Sequence, residues 1–158
     1  MAAFIGRHIN KIDKKGRVSV PKPFRDAIAD QDYPGIYVFP SFKYPALEGA
    51  GEAFIQRIVA SLDDLDLFSD EQDDLAETIL ANTNSLPYDP EGRVILPKSL
   101  MEHVNLKAEA VFVGAGARFQ IWEPEAYAVH NAQSFERARA RGVTLRLRAS
   151  DDGTGGGS

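Results

Sequence analysis

Cysteine is absent from the 158 residues. That excludes disulfides, thiolate metal sites and a cysteine nucleophile, and it fits a reducing cytoplasm. Histidine is scarce. His8, His103 and His130 show no ligand spacing, so each reads as a surface or internally satisfied side chain. No apolar run approaches the roughly 18 residues needed to span a bilayer, and the opening MAAFIGRHINK lacks the apolar stretch of a signal peptide. G-x-S-x-G, P-loop and H-E-x-x-H motifs are all missing. The expectation is a non-enzyme with no cofactor, no metal and no small-molecule substrate, located in the cytoplasm.

Each sign of charge is missing from a stretch where the other is dense. Residues 63–77 hold eight acids and no cation. Residues 137–148 hold five arginines and no acid. Residues 7–25 hold seven cations (Arg7, Lys11, Lys14, Lys15, Arg17, Lys22, Arg25) against Asp13 alone. The net charge of −5 argues against a nucleic-acid partner when taken globally. The local distribution argues the other way, because a basic patch acts within a Debye length of roughly 8 Å. The acidic run lacks the order of a calcium loop and reads as a solvated helix face. The arginine-rich end suits a helix C-terminus, or else a second phosphate contact.

What the chain does have is a block that occurs twice. Residues 13–22 are DKKGRVSVPK and residues 89–98 are DPEGRVILPK, 76 positions apart and identical at six of ten positions. Ile36-Tyr37-Val38 is echoed by Val111-Phe112-Val113, Lys43-Tyr44 by Arg118-Phe119, and Glu52-Ala53-Phe54 by Glu125-Ala126-Tyr127. A surface built twice points to repeated binding more readily than to one catalytic pocket. Each copy is too short to bury a generous core alone, so the two are expected to share one.

The elements follow from local chemistry. Residues 4–12 read as a strand, with Ile5, Arg7, Ile9 and Lys11 on one face. Residues 13–16 read as a hairpin turn, since Gly16 can take positive φ and Asp13 can bond its own backbone two residues on. Residues 17–20 return as a strand, and Pro21 opens a short helix to Ala29. Further strands are expected at 36–39 and 42–44. Helices are expected at 52–62 and, from the capping-box sequence at Ser69, through Asn82. The second copy repeats the plan: strands at 85–88 and 93–96 around the turn at 89–92, a helix at 97–104, then strands at 110–114 and 119–122. Pro124 starts a helix to about Arg141, capped by Gly142. The closing glycine-rich residues have nothing to bury and read as disordered.

A strand, a D-x-x-G-R turn, a strand ending in proline, a short helix and two more strands resembles the AbrB-like (SpoVT-AbrB) unit. Two such units in one chain resemble the MraZ family. The residues that carry this are Asp13, Gly16, Arg17, Pro21, Phe24 and Arg25 in the first copy. In the second they are Asp89, Gly92, Arg93, Pro97, Val113, Gly114 and residues 119–123 (FQIWE). The resemblance implies an α+β fold of two tandem AbrB-like lobes of the swapped-hairpin, double-split β-barrel kind, related by a pseudo-twofold repeat, plus packing helices. The first repeat would be residues 1–50, an acidic helical connector 51–82, the second repeat 83–127, the C-terminal helix and arginine-rich end 128–148, and the tail 149–158. It also implies a nucleoid-associated regulator that forms a ring-like homo-oligomer and binds direct repeats in promoter DNA.

The residues themselves supply a mechanism. A β-ribbon fits the major groove, where Arg17 can contact guanine O6 and N7 with two hydrogen bonds. Lys14 and Lys15 can neutralise phosphates. Arg7, Lys11 and Lys22 add charge along the same segment, and Arg93 stands in the equivalent place of the second copy. Arg93 is equally open to local pairing with Asp89 or Glu91, and Ile95, where the first copy has Ser19, hints at burial. The second block is neutral, with Pro90 and Glu91 in place of two lysines. The alternative function is an AbrB-type antitoxin or other protein-interaction module. Such a protein would usually carry one unit and a disordered partner-binding tail, whereas here the second unit fills the chain.

Overall fold

A computed structural model describes residues 3–149 of the chain. The fold is α+β, with antiparallel strands throughout. In the first copy β1 spans Arg7–Lys11, β2 Arg17–Ser19, α1 Lys22–Ala27, β3 Gly35–Pro40 and β4 Leu47–Ala50. The connector holds α2 (Glu52–Asp63) and α3 (Asp70–Leu75). In the second copy β5 spans Asn84–Pro87, β6 Arg93–Ile95, α4 Lys98–His103, β7 Glu109–Gly114 and β8 Phe119–Trp122. The last helix, α5, is Pro124–Arg141, and Gly142 follows it at φ 60°.

The copies trade strands. Six strands lie in the order β1-β7-β8-β4-β3-β5, so β1 joins the hairpin of the second copy and β5 joins that of the first. The order reads the same when the copies are exchanged. A separate two-stranded ribbon pairs β2 with β6, placing Val18 directly opposite Val94. The shared core lies between this ribbon and one face of the sheet. Phe24 of α1 sits at its centre with no exposed surface, 5.3 Å from the ring of Phe4 and 5.2 Å from that of Phe119. Val18, Val20, Val94, Leu96 and Leu100 close the cluster. Burying each such side chain contributes about 1.5–3 kcal/mol, which neither copy could gather alone.

The opposite face of the sheet carries Val111 and Trp122, with Tyr44, Val113 and Tyr127 packed on them. It also buries a carboxylate. Glu48 accepts from Arg118 Nε at 2.9 Å and from Gln120 Nε2 at 3.0 Å, while Trp122 Nε1 donates to Gln120 Oε1 at 2.9 Å. A buried charge is tolerated only when paired and hydrogen-bonded in this way.

Three local expectations are corrected. Residues 42–44 are not a strand. Ser41 Oγ accepts from the backbone N–H groups of Lys43 and Tyr44 at 3.2 and 3.1 Å, bending the chain there. The strand falls instead on Leu47–Ala50, whose Glu and Gly gave no β signal. The helix from Ser69 is capped as expected, by the Gln72 N–H to Ser69 Oγ at 3.1 Å, but changes to a π-turn over Ala76–Leu80. The helix after Pro21 ends at Ala27, two residues early.

Contacts divide the chain into two compact units, between Tyr127 and Ala128. In the second unit Arg139 pairs with Glu136 at 2.8 Å, Arg137 donates to Ser134 at 3.2 Å, and residues 143–149 have no regular structure. From residue 150 on, the tail expected to be disordered lies outside the described residues. Among those described, no helix is long and apolar enough to cross a membrane.

Candidate nucleic-acid interface

The two D-x-x-G-R turns are built alike. Asp13 Oδ1 accepts from the backbone N–H groups of Lys15 and Arg17, each at 2.9 Å, and its Oδ2 accepts from Arg17 Nε at 2.6 Å. Asp89 does the same with the N–H groups of Glu91 and Arg93 at 2.9 Å and with Arg93 Nε at 2.8 Å. Gly16 and Gly92 stand at φ 83° and 77°, where a side chain is strained. The spacing has a reason: one carboxylate can close the turn and grip the arginine only if the arginine is four residues on. The backbone N–H of Arg17, foremost, holds the Asp13 pKa below 3.8, and that of Arg93 does so for Asp89. The Asp89 carboxylate in turn raises the pKa of Arg93.

The ribbon brings both arginines to one surface. Arg17 lies opposite Ile95 and Arg93 opposite Ser19, with Val18 and Val94 turned into the core. Arg17 and Arg93 are therefore diagonal neighbours on the outer face, at the about 7–8 Å typical of such pairs. Ile95 shares that face and is 59% exposed, so the expected burial does not occur within this chain. The turns sit at opposite ends of the ribbon, because the Leu96 N–H donates to Gly16 O and the Val20 N–H to Gly92 O.

Their pairing differs. Among the described residues, Arg17 forms an ion pair with Asp13 only, through Nε. Arg93 is held by Asp89 and also approached by Glu91 at 3.6 Å. Lys14 and Lys15 are exposed at the first turn. Lys22, at the start of α1, pairs with Asp26 at 2.9 Å.

Arg7 and Lys11 are not gathered with the others. On β1, His8 faces the core against Phe24 and Asn10 Nδ2 donates to Ser19 O at 2.7 Å. Strand alternation then turns Arg7, Ile9 and Lys11 to the sheet face away from the ribbon. There Arg7 lies over the Tyr127 ring, 5.7 Å from its centroid, and Nη1 donates to the Tyr127 hydroxyl at 3.4 Å.

One residue at the site carries the family resemblance and belongs to the basic segment, yet is not among the DNA contacts expected from the sequence. Arg25, on α1, lies against Gly92 of the second turn, and its Nε donates to Val20 O at 3.1 Å. Its position 76 residues before Met101, which flanks Gly16, was the available signal. Among the described residues no cluster of histidine and carboxylate side chains suited to a metal is formed.

The family described as "MraZ protein, putative antitoxin-like" matches residues 79–146. Over longer stretches the chain is similar to proteins named transcriptional regulator MraZ. It is 49% identical to that of Parvibaculum lavamentivorans over 138 residues, covering 87% of this chain and 86% of the relative. Identity to the Gluconacetobacter diazotrophicus protein is 42% over 142 residues, 88% and 90% of the two chains. For the Pelagibacter ubique protein it is 37% over 143 residues, 90% and 92%.

Proposed function

The chain belongs to the MraZ family, and on that premise we propose that it is a DNA-binding transcriptional regulator, not an enzyme. The name its relatives carry, transcriptional regulator MraZ, supports regulation of transcription. The observation that carries the mode of binding is the ribbon's outer face, where Arg17 and Arg93 stand as neighbours, each fixed by its own aspartate. In this reading the ribbon enters the major groove of double-stranded DNA. Asp13 holds Arg17 at Nε, and the terminal nitrogens contact guanine O6 and N7. Lys14 and Lys15 take phosphates, which position the protein without reading sequence. Arg93 contributes beside Arg17, while Lys22, Arg7 and Lys11 add a more distant positive field.

The finer parts of the reading rest on the family resemblance. The repeats act as AbrB-like modules, 1–50 and 83–127, joined by the acidic connector. The exchange of β1 and β5 between hairpins supports that assignment. Several copies assemble as a ring and engage direct repeats in the promoter of the division and cell-wall gene cluster, in the cytoplasm at the nucleoid. An antitoxin-type module is the second reading, favoured only by the wording of the family description.

The test is a gel shift with duplexes tiling the DNA upstream of the chain's own gene. Arg17→Ala should lose specific binding while the thermal melt stays unchanged, since the side chain lies outside the core. One bidentate guanine contact is worth about 1–3 kcal/mol, multiplied over copies that bind together. Unchanged affinity would sink the assignment, and no binding by the native protein would favour the second reading.

A further inference from the structure

We propose that Arg25 serves the turn of the opposite repeat, as a phosphate contact that replaces the lysines the second turn lacks; this rests on the DNA-binding reading above. The first turn carries Lys14 and Lys15, whereas the second carries Pro90 and Glu91. Yet the second turn is not without positive charge in space. A Cβ built on Gly92 would lie 2.7 Å from Arg25 Cζ, 2.8 Å from Nε and 2.9 Å from Nη1. The guanidinium thus lies directly against the turn backbone, which only a glycine there allows.

Two further bonds hold the arrangement. Val20 donates its N–H to Gly92 O at 3.1 Å, and its own carbonyl accepts from Arg25 Nε at 3.1 Å. Arg25 is therefore clamped to the strand that ends beside the second turn. Its other donors are uncommitted: among the described residues it forms no ion pair, and the nearby Asp26 is taken by Lys22. Arg25 is half-buried, and beside it Tyr88 keeps a buried hydroxyl with no hydrogen-bond partner. A partly desolvated guanidinium without a counter-ion is costly in the free protein. It matches a phosphate, which accepts two parallel N–H bonds from such a fork.

The pseudo-symmetric position sharpens the point. Met101, 76 residues on, flanks Gly16 with its Sδ 3.8 Å from the corresponding Cβ position. Where the turn supplies lysines, the flanking residue is an apolar thioether. Where the turn supplies none, the flanking residue is arginine. Each ribbon end then has one phosphate-binding device, built from the turn at one end and from the partner repeat at the other.

The full chain and its upstream duplex test this by double-mutant cycles over a salt titration. Arg25→Met copies the residue beside Gly16 and keeps the packing. Affinity should fall on the order of tenfold, as expected for a charged hydrogen-bond pair, with a shallower salt dependence. The loss should be non-additive with Arg93→Ala and additive with Arg17→Ala. Arg25→Lys should recover part of the salt slope. If Arg25→Met unfolds the chain, Met101→Arg is the second arm: a fork beside Gly16 should strengthen binding and steepen the slope. Native affinity for Arg25→Met, or coupling to Arg17 in place of Arg93, would overturn the inference. Should the native protein bind and Arg17→Ala abolish it while Arg25→Met is neutral, only this inference fails. No binding by the native protein fails the DNA reading itself.

Discussion

One carboxylate does three things in each turn. Asp13 accepts two backbone N–H groups, closes the loop around Gly16, and fixes the arginine four residues later. The bonds require the ionised form, which accepts only. Folding lowers the Asp13 pKa, so the turn's contribution is fully present above the ordinary value of 3.8 and is lost as pH falls through the lowered value. In an NMR titration the Arg17 amide signal should hold steady from pH 7 to 5 and move only below 3.8. An inflection at or above that value would contradict the bonding described. In the proposed reading the lysines between Asp13 and Gly16 have a different part, as phosphate contacts. Lys14→Ala with Lys15→Ala should weaken cognate and unrelated duplexes alike and flatten the salt dependence by about 0.9 per lost phosphate contact. If only the cognate duplex were lost, with the slope intact, these lysines would be reading bases.

At the scale of elements, the ribbon depends on its turns being small where the chain crowds. Gly92 combines φ 77° with the Arg25 guanidinium against its α-carbon. Gly92→Ala should cost roughly 1–2 kcal/mol from the left-handed backbone alone, more if Arg25 cannot shift. A thermal melt within a degree of native would show that the turn relaxes freely. Such turns were legible in the sequence, because Asp-x-x-Gly-Arg states its own hydrogen bonds. So were β2 and β6, the proline-led helices and the aromatic core strand ending at Trp122. The exchange of β1 and β5 was not, because strand partners are chosen by long-range packing that no local pattern encodes. The same gap misplaced β4: Phe42 and Tyr44 have the composition of a strand, but Ser41 bends them, while Leu47–Ala50 becomes a strand by pairing with β3 and β8, where Glu48 meets Gln120. It also set Arg7 beside Arg17 in sequence although the sheet separates their faces.

At the scale of the molecule, exchanged strands bind the two copies into one core, yet the sheet still has two edges, β1 and β5. Unpaired strand edges invite pairing with another chain unless something covers them. Large apolar side chains lie in the open as well: Ile5 is 75% exposed, Phe42 70%, Leu67 72% and Phe68 81%. Such side chains could be covered by a neighbouring subunit where they adjoin one another, since contiguous exposed apolar patches mark interaction sites. Because the two copies are alike but not identical, a head-to-tail contact, first copy against second, is available to every subunit. Heterologous contacts of that kind close into a ring or run on as a filament. A ring would present the Arg17 surface at regular intervals, which would suit the repeated DNA sites proposed above, because linked weak contacts gain avidity only when geometry lets them engage together. Light scattering at micromolar concentration should therefore give a single species several times the 17.3 kDa of the chain. Dilution to the monomer should reduce affinity for a duplex with tandem sites far more than for one with a single site. A monomer that bound the tandem duplex at full affinity would defeat the closed assembly, leaving the ribbon to act alone.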